Sequence, residues 1–476
     1  MNRASLHVGA LGQAEGPAYL PRGDSVIAAR RDMLATVAHD ETGRAERGDL
    51  PAAPVRERRA TRMRSVRSWR RSVCDPWTLW SVPGTSLPTV WILLGLSLFS
   101  ACRTEKGTDV LDGLREAKVA LDLRIDGYEA DLVPIDWMGV GSTGRIALIQ
   151  GQDAKVRFFD GEGKPIGEFG RNGEGPGEFR RPLRGGWIGD TLWIDDTQLD
   201  RSTLISPDLR LVRIVANAPA LRPTQGDTAR VPEFGPGTPH AIYPGDTMLV
   251  AASPRRDDRR ADLFDGSPLL RVSAEGAITH VVVVRPVDDG GSFAVGFSDG
   301  RAGGFPVPFH QGPRWSVSPD GDRIGLLTVS FPTPEVGAFR IVVVDAHGRE
   351  IFDRSYQAST LSIPESVIDS VLSARAASAS NTEMRSAILT DLGDRIPKTY
   401  SPVDDILLGR DGRIWVSLRP DADGNSWLVL GPDGEPSMRV TVPANTRLEV
   451  ADDRYVWGLE VDELGVESVV RYRLER

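Results

Sequence analysis

The sequence predicts an all-β fold, a six-bladed β-propeller of four-stranded blades, on three observations. A turn-plus-strand pattern recurs six times, a second turn follows most copies, and the last copy lacks its outermost strand. The first pattern is a short polar or Gly turn followed by an apolar strand. It reads TGRIAL at 143–148, GDTLWI at 189–194, GDTMLV at 245–250, GDRIGL at 321–326, DGRIWV at 411–416 and DDRYVWGL at 452–459. Two-residue hairpins favour Gly, Asp and Asn because their central residues need positive φ, and apolar β-branched or aromatic residues suit the strand that follows. Spacings of 41 to 90 residues between copies mark regular units with insertions.

The second turn appears in FFDGEGKPIGEFG at 158–170, VSAEGAITHVVVV at 272–284, VVDAHGREIFDRS at 343–355 and VLGPDGEPSMRVTV at 429–442; SPDLRLVRIV at 206–215 is plainer. Each copy therefore supplies strand, hairpin, strand, turn, strand, and a preceding strand completes a blade. The sixth ends with VVRYRLER at 469–476, so its missing strand must come from elsewhere. KVALDLRI at 118–125 alternates apolar and polar residues and is expected to fill it, with Val119, Leu121 and Leu123 on one side. The propeller is thus assigned to 117–476, after a linker at 102–116.

Two insertions interrupt the repeats. Residues 362–393 read as helical: Ser362 and Glu365 are spaced as a capping box, and Val367, Ile368, Val371 and Leu372 share a face. A second helix is expected from Asn381 as cap, through Met384, Ile388 and Leu392, to Gly393 as terminator. This segment reads as a surface insertion. The other, 288–314, is Gly-rich and carries Phe293, Phe297, Phe305 and Phe309.

The first hundred residues read differently. Residues 1–62 are rich in Arg, Ala, Gly and Pro and lack strand or helix periodicity, so they are expected to be a disordered or mis-assigned leader. From Met63 the chain has the three parts of an export signal, assigned to 63–101. Arg64, Arg67, Arg70 and Arg71 come first, then the apolar run Val90–Phe99, then Ser100 and Ala101. A membrane-spanning helix needs about 20 apolar residues, roughly twice this run. Translation from Met63 would place the signal at the N-terminus.

Charge follows the same division. Residues 1–101 carry a balance of +5 and residues 102–476 one of −14, within a formal net charge of −9. An acidic domain repels phosphate backbones, so no nucleic-acid partner is expected. The only cysteines are Cys74 and Cys102, which leaves the region beyond 102 without an intrachain disulfide or a thiolate metal site.

LFSAC at 98–102 resembles the lipobox of bacterial lipoproteins, with Phe99 where an aliphatic residue is usual. That resemblance makes Cys102 the lipid attachment site and the mature N-terminus. FFDGEGKPIGEFGRNGEGPGEFRRP at 158–182, PFHQGPRWSVSPDGDRIGL at 308–326 and IPKTYSPVDDILLGRDGRIWVSL at 396–418 resemble the NHL-like six-bladed β-propeller lipoproteins of bacteria. The resemblance implies a fold and an exported, lipid-anchored location, facing the periplasm from the outer membrane or at the cell surface. It carries no general activity.

Little in the sequence points to chemistry. Gly170–Gly177 lacks the Gly-Lys-Ser/Thr ending of a phosphate loop and sets Glu174 and Glu178 where phosphate would sit, so a strand-linking turn is preferred. Asp421-Ala-Asp423-Gly-Asn425 starts like a calcium loop but has Pro432 at the twelfth position, and a hairpin turn is preferred. The acidic pairs Asp195-Asp196 and Asp404-Asp405 adjoin predicted strands; they either face a central channel or sit in solvated loops. His240, His280, His310 and His347 lack zinc-pair spacing. Trp193, Trp415 and Trp457, at near-equivalent repeat positions, read as packing between blades.

No catalytic residue, cofactor or metal site is therefore assigned. The expected function is a binding or scaffold module anchored to a membrane through Cys102, with a protein, peptide or carbohydrate ligand. The competing expectation is a metal-dependent hydrolase or lactonase of the gluconolactonase type, with a divalent ion in the channel.

Overall fold

The computed structural model describes residues 109–475, apart from 218–220, 224–233, 236, 254–265, 289, 297–301, 380 and 420–423. Cys102, the signal segment, the leader, Phe297, Asp421 and Asp423 lie outside the described residues.

After β1 (Arg115–Ile125), four strands form one antiparallel sheet: β2 (Trp137–Val140), β3 (Ile146–Gln150), β4 (Lys155–Phe159) and β5 (Pro165–Phe169). The second sheet is β6 (Pro182–Ile188), β7 (Thr191–Asp196), β8 (Arg201–Ile205) and β9 (Leu211–Ala216). In the third, β10 (Arg222–Pro223) adds in parallel to the outer edge of β11 (Thr238–Ile242), β12 (Met248–Ala251), β13 (Ser267–Val272) and β14 (Ala277–Arg285). A separate hairpin, β15 (Ser292–Gly296) and β16 (Ala302–Pro306), precedes the fourth sheet. That sheet is β17 (Arg314–Val317), β18 (Arg323–Thr333), β19 (Val336–Asp345) and β20 (Glu350–Ser359). Helices α1 (Glu365–Ala377) and α2 (Thr382–Ala387) follow. The chain finishes with β21 (Val403–Leu408), β22 (Ile414–Leu418), β23 (Asn425–Leu430), β24 (Pro436–Val442), β25 (Thr446–Ala451), β26 (Tyr455–Val461) and β27 (Glu467–Glu475).

The arrangement is propeller-like. First strands lie beside first strands, β6 between β2 and β11, β21 between β17 and β25, and β25 also against β2. Apolar layers fill the gaps from each sheet to the next. Period-two alternation explains how one strand serves two layers. In β7, Leu192 and Ile194 pack with Ala147 and Phe158 of the first sheet, while Trp193 packs with Met248 and Val250 of the third. Onward layers pair Leu249 with Ile324, Phe339 with Val416, and Trp415 with Val456. The last returns to the start, setting Trp457 and Val469 against Met138 and Ile146. Trp193, Trp415 and Trp457 are all buried in these layers.

Backbone pairing does not divide the chain into six separate four-stranded sheets. Among the described residues, three sheets have four strands, one has five, the β15–β16 hairpin has two, and one has eight, in the order β21-β22-β23-β24-β1-β27-β26-β25. The fusion is the work of β1. Its Arg115–Ala117 stretch pairs in parallel with β24, and Lys118–Ile125 pairs antiparallel with β27. The segment at 118–125 thus takes the place beside the C-terminal strand. Its alternation breaks, however: Leu121 faces Tyr472 and Leu123 faces Arg471, so Asp122 is a bulge residue. The bulge therefore sends Val119 and Leu123 to different apolar layers, and Leu121 is 55% exposed.

The turns are also longer than a two-residue hairpin. At 160–164, Gly163 N donates to Asp160 O and Asp160 N to Lys164 O, which closes a three-residue loop with Gly163 at φ +78°. The same bonds recur at 141–145, 273–277 and 409–413, with a left-handed Gly in third place each time. Asp160 Oδ1 also accepts the Glu162 and Lys164 amides, the local bonding that makes Asp a turn residue.

The two insertions pack on each other. Ile368 and Leu372 of α1, with Ile388 and Leu392, bury against Phe293, Val295 and Val307. Asn381 caps α2 by accepting from the Met384 amide, as the sequence predicts. The capping box fails: Pro364 occupies the N-cap of α1 without a side-chain bond, and Ser362 instead bridges Thr399. Gly393 does not terminate the helix. It has right-handed φ −54°, and helical turns continue to Arg395. Among the described residues, no helix is long and apolar enough to cross a membrane.

Candidate functional site

Antiparallel order puts the start of each first strand, the end of each second strand and the end of each fourth strand at one end of a sheet. The long connections β9–β11, β14–β17 and β20–β21 all leave from that end. Connections of this kind carry binding groups on a rigid scaffold, and the charged inner residues gather there.

Arg184 of β6 is held between two neighbouring groups. Its Nε is 3.6 Å from Asp195 Oδ2 of β7, and its Nη1 is 3.5 Å from His240 Nε2 of β11. The His240 ring meets Trp315 of β17 edge-on, with centroids 4.5 Å apart. Arg285, at the end of β14, lays its guanidinium 4.6 Å from the same indole centroid. Burial, reinforced by the Arg184 and Arg285 charges, pushes the His240 imidazole well below its ordinary pKa. His240 is therefore neutral at physiological pH, with one ring nitrogen able to accept a hydrogen bond.

A second group forms between β17 and β21. Burial raises the Asp404 carboxyl to about 6, and the Asp405 charge adds to this; Arg314 and Arg419 oppose it. Gln311 Nε2 donates to the Asp404 carbonyl at 2.6 Å. The Arg419 guanidinium carbon sits 3.2 Å from the Tyr400 ring centroid, and Phe309 meets Tyr400 edge-on at 5.5 Å. The insertions thereby reach the charged end of the sheets.

The acidic pairs divide their roles. Asp196 is fully buried and accepts the amides of Arg180, Arg181, Gln198 and Leu199, so it ties two loops together and is neither a channel nor a solvated-loop residue. Asp195 is also buried and accepts from Asn217 Nδ2 at 2.7 Å. Burial lifts its carboxyl to about 6 despite Asn217 and Arg184. Asp405 is turned to its own strand, accepting the Ile406 amide. Burial raises two of these carboxyls, those of Asp195 and Asp404.

The Gly-rich segment at 170–177 plugs itself. Glu178 Oε2 accepts Gly175 N at 2.7 Å, Oε1 accepts Arg171 Nε, and Arg201 donates to the carbonyls of Glu174, Gly175 and Glu178. The Gly175 amide and Arg171 hold the Glu178 carboxyl below its ordinary range. The histidines are dispersed: His310 pairs with Asp288 at 2.6 Å, His280 stacks on His347, and His240 belongs to the Arg184 group. Among the described residues, no three His, Cys, Asp or Glu side chains converge as metal ligands. Sequence reasoning missed Arg184, Arg285, Arg314, Trp315, Tyr400 and Arg419. An Arg or Trp near the start of a strand that precedes a repeat turn was the available signal for Arg184, Arg314 and Trp315; Arg285, Tyr400 and Arg419 carry none.

No protein-family model matches the chain, and no curated protein matches it. Solved structures do. A member of the DUF4221 family from Bacteroides vulgatus is 10% identical, with 76% of this chain and 99% of that one covered at a TM-score of 0.39. Regucalcin from Agrobacterium tumefaciens, a calcium-binding protein, is 11% identical over 76% and 96%, TM-score 0.31. Virginiamycin B lyase from Staphylococcus aureus, solved as an inactive variant with quinupristin, is 10% identical over 75% and 100%, TM-score 0.33. None of these likenesses bears on what this chain binds.

Proposed function

We propose that this chain is an exported lipoprotein, anchored through Cys102, whose six-bladed, NHL-like β-propeller is a binding module for a small or glycan-like ligand. In this reading the eight-stranded sheet is two blades joined by β1, and β10 is an addition to the third blade. The observation that carries the binding assignment is the gathering of Arg184, His240, Arg285, Trp315, Arg314 and Arg419 at one end of the inner strands. A divalent-ion enzyme needs carboxylates converging there; cations and aromatic rings suit recognition of an acceptor-rich ligand.

The alternative, a metal-dependent hydrolase or lactonase, would draw on Asp195 and Asp404, whose carboxyls titrate near 6. The two readings separate on one preparation. The binding reading expects purified full-length protein to carry less than a stoichiometric divalent ion and to leave five- and six-membered lactones intact. Stoichiometric metal with turnover, both lost in Asp404→Asn, would establish the hydrolase instead.

The anchor has its own test. Wild type is expected to partition with membranes and to incorporate labelled fatty acid, and Cys102→Ser to do neither. Label retained in the serine variant refutes the assignment.

A further inference from the structure

We infer that the tip of the β18–β19 hairpin, with Leu361 beside it, rests on the membrane that holds Cys102 and sets Phe331 and Leu361 into its headgroup layer. This contact rests on the Cys102 anchor proposed above and specifies which face that anchor turns to the bilayer.

The tether sets the first limit. Seven residue steps separate Cys102 from Asp109, through Arg-Thr-Glu-Lys-Gly-Thr, and fully extended they span at most about 25 Å. That is less than the length of β20, whose ten residues run about 30 Å. Only surface near Asp109 therefore stays within reach of the bilayer.

Hydrogen bonds fix where the tether arrives. Asp109 Oδ2 accepts the Ser359 amide at 2.7 Å and Val110 N donates to Gln357 O, which pins the entry to the end of β20. The same strand end is tied to the hairpin tip. Ser359 pairs with Val336, Thr360 N donates to Glu335 O, and Thr360 Oγ1 donates to Pro334 O at 3.0 Å.

Apolar residues face solvent at this place. Residues 330–335 are all exposed, Pro332 and Pro334 among them, with Phe331 at 42% and Leu361 at 68%. Exposed apolar residues scattered singly are ordinary, but these gather where the tether enters. Lys398 is exposed beside them, its carbonyl accepting the Ile363 amide, while Glu335 brings the opposite charge. Apolar burial, not net charge, therefore supplies the attraction. The anchor has already offset the entropy of bringing the tip to the surface, so a small apolar contact suffices.

The test uses full-length protein, processed and lipidated in cells and reconstituted into phosphatidylcholine vesicles with or without phosphatidylglycerol. In the lipoprotein reading the mature chain has no free thiol, because Cys74 precedes the anchor and Cys102 carries it. Phe331→Cys, Leu361→Cys and the control Val212→Cys, 46% exposed on β9, each take one nitrobenzoxadiazole fluorophore. Lipids bearing a nitroxide high on the acyl chain should quench at least half the emission at 331 and 361, and under a tenth at 212. Both lipid mixtures should give the same result. With the label at Thr333→Cys, adding Phe331→Ser and Leu361→Ser should cut quenching threefold or more, with melting temperature and fatty-acid incorporation unchanged. Quenching equal at all three sites, or unaffected by the serine pair, overturns the docking face and leaves the anchor standing. Protein without incorporated fatty acid overturns the anchor, and the docking face with it.

Discussion

Deleting residues 109–125 is expected to lower the melting temperature by roughly 10 °C or more and to make the protein aggregate. The segment spans three successive parts of the ring. Asp109 accepts the Ser359 amide at 2.7 Å, and Val110 N donates to Gln357 O, both on β20. Arg115–Ala117 then pair with β24 and Lys118–Ile125 with β27. Loss of the segment would uncover two sheet edges and the apolar layer beneath Ala117 and Ile125. Burial of those side chains and the lost ladder bonds together amount to about 5 kcal/mol or more. Leu121→Ser supplies the control, since that side chain is mostly exposed at the bulge and its replacement should cost within about 0.5 kcal/mol. Differential scanning calorimetry with light scattering checks both. A deletion variant that melts at the parental temperature as a monomer would show that the ring closes without β1.

Adjacent aspartates should respond in opposite ways. Asp196→Ala leaves four loop amides without their buried acceptor and is expected to cost about 3–5 kcal/mol in urea unfolding. Asp195→Asn should be neutral or stabilising at pH 7.5. The folded pKa of Asp195, about 6, stands above the ordinary carboxyl value. Its ionisation therefore weighs against the fold, beginning as pH climbs above about 4 and complete beyond about 6. The advantage of the asparagine variant should accordingly shrink as pH is lowered through that window. Equal losses for the two variants at pH 7.5 would contradict the division of roles.

The repeat turns were legible because their chemistry is local. A left-handed Gly whose amide bonds the carbonyl three residues earlier makes the same bend at Gly163, Gly276 and Gly412. Local reading failed where a competing partner was distant. Ser362 is spaced to cap a helix, but it pairs with Thr399, a partner brought close only by the folded insertion. Asn381 had no such competitor and caps as its sequence predicts.

The candidate site was the least legible part. Asp195-Asp196 and Asp404-Asp405 look alike in sequence, yet Asp196 serves loop amides while burial raises the Asp404 carboxyl to about 6. Pairing register and burial decide this, and neither is a property of the dipeptide.

By itself the sequence determined the strands, the turn positions and the strand at 118–125, because apolar alternation and turn residues act over a few neighbours. Tertiary structure alone decided that β1 joins β24 to β27 and that the two insertions bury each other's apolar faces. Those contacts join residues tens to hundreds of positions apart. Their energies depend on which surfaces are already buried, and only the folded chain sets that.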